Sequence, residues 1–374
     1  MTTQSCVPGI LVTILILLTA CAGPPPVQEI RVYDAAFERT RSAGEAVLDE
    51  AASAVAVKEQ TERERHGESE GLYPQSFDPE SVSLDPEAAV PDVIRVRYLA
   101  LRTIADYNDA LLALAEGRTL EQVQGQVAAL GQTVEALLPL IGIAGGPLPG
   151  LALGGLQSAI AAAETARERA AVEHAILAAH ADVDGIIAAL IADTPDLYEL
   201  LRTRRELELD AIDREMGDTW RSMTRLASAH RAATAPSEIK EIVETEQRAR
   251  RAFASATPSS QIAGLPDLTL APASQGGAPL DAATIRELDS GAARLEAAAA
   301  RYMEGVQAIR LAHEAMKQYV LLLRRARQAM HDLKSAVAAP PGANVVLARI
   351  VDSGIELRHQ ADQVQRIVGA LRAR

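Results

Sequence analysis

From Asp281 to Ala338 the chain runs 58 residues without a proline. Apolar side chains recur through this stretch in steps of three and four. The a-type positions are Ile285, Ala292, Ala299, Val306, His313 and Val320. The d-type positions are Leu288, Leu295, Tyr302, Ile309, Met316, Leu323, Met330 and Val337. A period of that kind places one apolar stripe along one helix, and at about 1.5 Å per residue the helix would exceed roughly 80 Å. Pro340-Pro341-Gly342 ends the run. A last helix then repeats the step with Leu347, Ile350, Gly354, Leu357, Ala361, Val364, Val368 and Leu371, so the two are expected to pair as an antiparallel hairpin.

Composition extends this expectation to the whole chain. Alanine makes up about a fifth of the 374 residues, aromatic residues 3%, and there are only 3 Phe and 1 Trp. A core built from Ala, Leu, Ile and Val suits closely spaced helices. The fold class expected is all-α, an elongated antiparallel helical bundle with coiled-coil-like long helices. A net charge of -13 argues against a nucleic-acid binder, because neutralising phosphate needs a surplus of Lys and Arg.

Earlier in the chain the same stepping marks a helix through Ile30, Tyr33, Phe37, Thr40, Gly44, Val47, Ala51 and Ala54. A Pro-bearing acidic linker is expected over residues 67–92. A second helix carries Ile94, Leu101, Ile104, Leu111 and Ala115 and stops at Gly117. Thr119 to Gln122 forms a capping box for a third, with seam Leu120, Val123, Val127, Leu130, Val134 and Leu137. A fourth is expected unbroken from about Leu156 to Ala192. Thr194-Pro195 reads as an N-cap followed by proline at the first helical position. A second connector, residues 257–280, is rich in Gly, Pro and Ser. The loop near residue 265 offers a place for the body, residues 27–374, to divide into lobes 27–256 and 281–374.

The amino terminus carries an address. Its first twenty residues hold no charged side chain, and Ile10 to Leu18 form an apolar run too short to span a bilayer core of about 30 Å. Leu18-Thr19-Ala20-Cys21 resembles the lipobox of bacterial lipoproteins, although Met1 to Cys6 lacks the Lys or Arg of that pattern. The resemblance implies removal of residues 1–20 as a signal peptide. It also implies a diacylglycerol and an N-acyl lipid on Cys21, and residence in the cell envelope. Ala22, in place of Asp, implies the outer membrane, facing the periplasm. Residues 21–26, with Pro24-Pro25-Pro26, then serve as lipidated cysteine and tether. With Cys6 removed and Cys21 lipidated, no thiol remains for a disulfide.

Three features compete as functional sites. Ala136 to Ala163 contains no charge, and its centre, residues 139–155, presents Ile141, Ile143, Leu148, Leu151 and Leu153 as a candidate membrane or partner tip. Each arm of about 13 residues reaches about 20 Å, too short to cross the hydrocarbon. The arrangement looks loosely like the apolar head of helical pore-forming toxins. His313 falls in the apolar seam, where an imidazole must be hydrogen-bonded, and is a candidate buried polar residue. The third is a metal set drawn from His174, His180, Asp182, Asp184, Glu356 and His359. His174 and His180 stand six apart and diverge by about 120° on a helix, whereas His180 and Asp184 share a face. Glu356 and His359 match one Glu-x-x-His element of a di-iron bundle, but no second element is present.

No nucleophile elbow, P-loop, dinucleotide fingerprint or zinc spacing occurs in the sequence. The function expected is a non-catalytic, lipid-anchored envelope protein acting as scaffold or docking module. No catalytic residue, metal, cofactor or small-molecule substrate is assigned. Its partners would be the membrane, through the lipid, and an envelope protein or a second copy. A membrane-active protein that inserts its tip is the alternative, and a metal-dependent enzyme the second alternative.

Overall fold

The structure is a computed structural model. It describes residues 27–65, 90–141, 153–230, 244, 245, 247–252, 282–338 and 344–373. The described residues are helical almost throughout and contain no strand. The helices are α1 (Val27–Arg65), α2 (Asp92–Ala115), α3 (Leu120–Ile141), α4 (Gly154–Thr165), α5 (Arg169–Ala192), α6 (Thr194–His230), α7 (Ala282–Val337) and α8 (Asn344–Arg372). Of the first expected connector, residues 67–92, all but 90–92 lie outside the described residues, and Asp92 already begins α2; the second, 257–280, lies outside them entirely, as do the signal segment, Cys21 and the tether.

The chain divides into two compact units. One comprises residues 1–199 and 314–369, the other residues 200–313 and 370–374. The borders therefore fall inside α6, α7 and α8 rather than at the loop near residue 265. Three long helices each carry residues of both units, and no change of composition marks the place.

In the first unit α2 is central and packs against α1, α3 and α5. It is buried on nearly every side, with Ile94, Leu101, Ile104, Leu111 and Leu114 in the core beside the polar Arg97, Thr103 and Asn108. Its end is a Schellman motif. The Gly117 N–H donates to the Leu114 carbonyl at 3.1 Å and the Arg118 N–H to that of Ala113 at 3.0 Å. Gly117 adopts φ +74, the left-handed conformation that glycine takes without steric cost. The capping box follows directly. The Gln122 N–H donates to Thr119 Oγ1 at 3.4 Å and the Thr119 N–H to Gln122 Oε1 at 3.1 Å, which starts α3.

The fourth expected helix is two helices. The Gln124 side-chain amide, reaching from α3, donates to the carbonyls of Ala163, Glu164 and Ala166 at 2.9–3.2 Å. It supplies the end of α4 with partners from outside the helix, and the backbone turns extended at Ala166. The start of α4 is held by Asp182 of α5, whose carboxylate accepts the Leu156 N–H. The α5–α6 junction also differs from expectation. The Thr194 hydroxyl bonds back to the Leu190 carbonyl at 3.2 Å instead of capping forward. The Asp193 carbonyl takes the N–H groups of Asp196 and Leu197, and the Asp193 side chain is free to point elsewhere.

α8 joins α1 and the later part of α7 within the same unit. Its stepped positions Ile350, Gly354, Leu357, Ala361, Val364 and Val368 are buried, as are Tyr33, Phe37, Val47, Ala51 and Ala54 of α1. A Cβ built on Gly354 would lie 3.3 Å from the Tyr33 Cα and 3.6 Å from its nitrogen, so the two helix backbones touch there. Backbone cannot yield as a side-chain tip can. We expect Gly354→Ala to lower stability by about 1–2 kcal/mol in urea denaturation. Gly369→Ala in the same helix meets no atom within 4 Å and should raise it by about 0.5–1 kcal/mol.

The second unit has its own core, in which Met216, Trp220 and Met223 of α6 pack with Ala249 and Ala252 and with Leu288, Ala292, Leu295, Ala298 and Ala299 of α7. Here α7 follows the expected seam. Beyond Tyr302 the buried stripe changes to Ala308, Ala312, Ala315, Tyr319, Leu322 and Ala326, while Met316, Leu323 and Met330 stay buried. His313 is exposed, contrary to its expected place in the seam. It belongs to the second unit, where the stripe has already moved off the seam, since Val306 and Ile309 are only partly buried and Ala308 and Ala312 take the buried positions.

Candidate functional site

Several of the polar groups that the first unit buries lie on α2, α5 and α7. Arg97 of α2 is 2% exposed and faces Asp193, which is 0% exposed, at the α5–α6 junction. Its Nε donates to Oδ2 at 2.5 Å and its Nη2 to Oδ1 at 2.7 Å, and Nη1 donates to the Val93 carbonyl. This is a two-pronged, fully desolvated ion pair. The buried Tyr319 hydroxyl of α7 is held well above the ordinary tyrosine range by burial, with the Asp193 charge adding to the effect.

One face further along, a chain of groups runs from the interior to the surface. The Tyr107 hydroxyl of α2 lies 3.2 Å from the Ile176 carbonyl and 3.3 Å from His180 Nδ1. His180 Nε2 lies 3.1 Å from His331 Nδ1 of α7, and the two rings meet edge to face. His331 Nε2 is 3.3 Å from Asp184 Oδ1, and Arg327 holds Asp184 with a second two-pronged bond. His180 is buried, whereas the His331 side chain is 47% exposed. Burial lowers the His180 imidazole to about 4, with Lys334 and His331 adding to the shift. The Arg327 bond holds Asp184 below the ordinary carboxylate range, and burial raises the Tyr107 hydroxyl above 10.

A carboxylate group on α1 and α2 forms a second electrostatic feature. Asp109 is raised to about 6 by partial burial and by Asp34, Asp106 and Glu38, with Arg41 opposing. Thr133 of α3 donates to Asp106 at 2.5 Å.

Ile141 and Leu153, at the two ends of the apolar tip, are buried in the helix packing. Ile143, Leu148 and Leu151 lie outside the described residues. His174 is exposed, Asp182 caps α4, Glu356 pairs with Arg325, and His359 lines a shallow surface with Asp362, Gln365 and Arg366. Of the metal set, only His180 and Asp184 come together, as their shared face predicted; both meet His331, and Asp184 also binds Arg327. Among the described residues no group of three or more His, Cys, Asp or Glu is arranged to hold a metal. The helical run 169–226 includes a stretch long and apolar enough to cross a membrane, and half of it is buried in the packing. Asp184 and His180 within it are engaged with α7, the arrangement of a core helix.

No protein-family profile, curated protein or solved structure matches this chain. Arg97, Asp193 and His331 were not singled out by the sequence. The pairs 97–193 and 180–331 are 96 and 151 residues apart, and no local spacing signals either. For His331 the one available hint is its position directly after the seam residue Met330.

Proposed function

We propose that the chain is a non-catalytic lipoprotein of the bacterial cell envelope, anchored through lipid on Cys21 and serving as a helical scaffold or docking module. The observation that carries this reading is the sequence Leu18-Thr19-Ala20-Cys21 and its distance from the packed body. Only five residues separate Cys21 from α1 at Val27, and the core begins at Tyr33. At about 3.1 Å per residue such a tether reaches about 19 Å, so the body would stay close to the membrane that holds the lipid. Two or more acyl chains make that anchoring stable. In this reading the helices form an elongated antiparallel bundle with coiled-coil-like long members. The protein sits on the outer membrane facing the periplasm and meets an envelope protein or a second copy of itself. Burial of Ile141 and Leu153 supports scaffolding over an inserting tip, since inserting these residues would first uncover them.

The full chain expressed in a bacterium is expected to fractionate with membranes, with the first residue of the mature protein a triacylated Cys21 by mass spectrometry. Cys21→Ser should remove the lipid and stop processing after Ala20. Unmodified Cys21 in the wild-type protein would overturn the reading.

A further inference from the structure

We infer that Tyr107, His180, His331 and Asp184 form a two-state hydrogen-bond relay, in which protonation of half-exposed His331 reverses the tautomer of buried His180 and the direction of its bond to Tyr107. Donor and acceptor capacity fixes both states. A neutral His331 facing the Asp184 carboxylate places its proton on Nε2, because a bare nitrogen there would set a lone pair against an anion. Its Nδ1 is then an acceptor, His180 must carry its proton on Nε2 to fill the 3.1 Å contact, and His180 Nδ1 is left to accept from the Tyr107 hydroxyl.

A protonated His331 donates from both nitrogens. Leaving His180 unchanged would oppose two N–H groups across 3.1 Å. His180 must therefore present a bare Nε2 and carry its proton on Nδ1, which donates to the Tyr107 oxygen. The Tyr107 proton then turns to the Ile176 carbonyl, 3.2 Å away. The relay gains one proton in all, supplied by solvent. His331 ends with two N–H groups, and His180 keeps one, moved from Nε2 to Nδ1. The Tyr107 hydroxyl and all four imidazole nitrogens of the relay have a partner in both states, so the packing of α2, α5 and α7 persists while the direction of the relay reverses.

The groups that bear on this exchange come from each helix around it. α2 contributes Tyr107, α5 contributes Asp184, and α7 contributes Arg327, Lys334 and His331 itself. Lys334, Arg327 and His331 disfavour a charge on His180, and burial does so more strongly. Asp184 lies directly against His331. The added charge consequently rests on the outer histidine, and the inner one responds by tautomer.

The test is long-range nitrogen–proton correlation NMR on the full chain, with histidines labelled in the ring nitrogens, between pH 7.5 and pH 5. The expected result is a His180 proton on Nε2 at the alkaline end. It should pass to Nδ1 with the same midpoint at which His331 gains its second N–H. A His180 that keeps one tautomer while His331 charges, or that changes at a different midpoint, would overturn the inference. His331→Gln should hold His180 in a single tautomer across the range. Asp184→Asn removes the anion that fixes the neutral His331 proton on Nε2 and should leave His180 in a mixture of tautomers at pH 7.5, and an unchanged His180 tautomer would remove Asp184 from the relay.

Discussion

Methionine in place of Arg97 is expected to cost the fold about 3–5 kcal/mol, the loss typical of a buried ion pair with one partner removed. The Asp193 carboxylate would keep its place at 0% exposure with neither of the two charge-assisted bonds that now reach its oxygens. The Val93 carbonyl would lose a donor as well. Methionine preserves most of the apolar stem, so the measured loss reports the charge rather than a cavity. The double variant Arg97→Met/Asp193→Leu should recover most of it, because replacing both charges by apolar groups of similar volume is often near neutral. Urea denaturation followed by circular dichroism measures both, with an unchanged slope indicating the same unfolding reaction. A single variant that loses less than about 1 kcal/mol would mean that Asp193 reaches water when Arg97 is gone. Arg39→Met supplies the comparison. Its pairing with Asp362 has side chains 47% and 41% exposed, and loss of such a pair is worth about 1 kcal/mol or less.

That ion pair also marks where sequence reasoning stops. The positions buried along α1 and α8 were legible from three-and-four stepping, since each helix packs one continuous face and nothing interrupts its period. Gly117 and the Thr119–Gln122 box were legible for a similar reason, because their partners are near in sequence. The division at residues 166–168 was not. Thr165-Ala166-Arg167-Glu168 contains neither Gly nor Pro, and the cause is a glutamine 39 or more residues away that competes for the carbonyls. The change of stripe in α7 was hidden because a period is a property of one helix, whereas the buried face is chosen by its neighbours. His313 was placed inside by extrapolating a seam past Tyr302, where the buried stripe moves to Ala308 and Ala312. His180 and Asp184 could be put on one face, but what they face, His331 and Arg327, is a property of tertiary packing alone.

Acidification is expected to weaken the fold between pH 6.5 and pH 4, with His180 as the principal cause. Its imidazole is lowered to about 4 in the folded protein, against about 6.5 in an unfolded chain. In that window the unfolded state binds more protons, so stability rises with pH there. The contribution is complete above pH 6.5 and lost progressively as the pH falls toward 4, amounting to at most about 3 kcal/mol. Asp109 works in the opposite direction. Its carboxyl is raised to about 6, so the folded state takes up its proton first and gains stability as the pH falls from 6 toward 4. Asp109 is solvent-exposed, and screening reduces its share to about 1 kcal/mol or less. The histidine outweighs the carboxyl, and the net loss from pH 7 to pH 4.5 should be about 1–2 kcal/mol. His180→Gln, which can still accept from Tyr107 and donate toward His331, should flatten the urea midpoint across this range. Asp109→Asn should raise stability at pH 7 and steepen the acid loss, because it removes the group whose uptake of a proton offsets the histidine. A His180→Gln protein with an acid slope equal to wild type would place the sensitive group elsewhere.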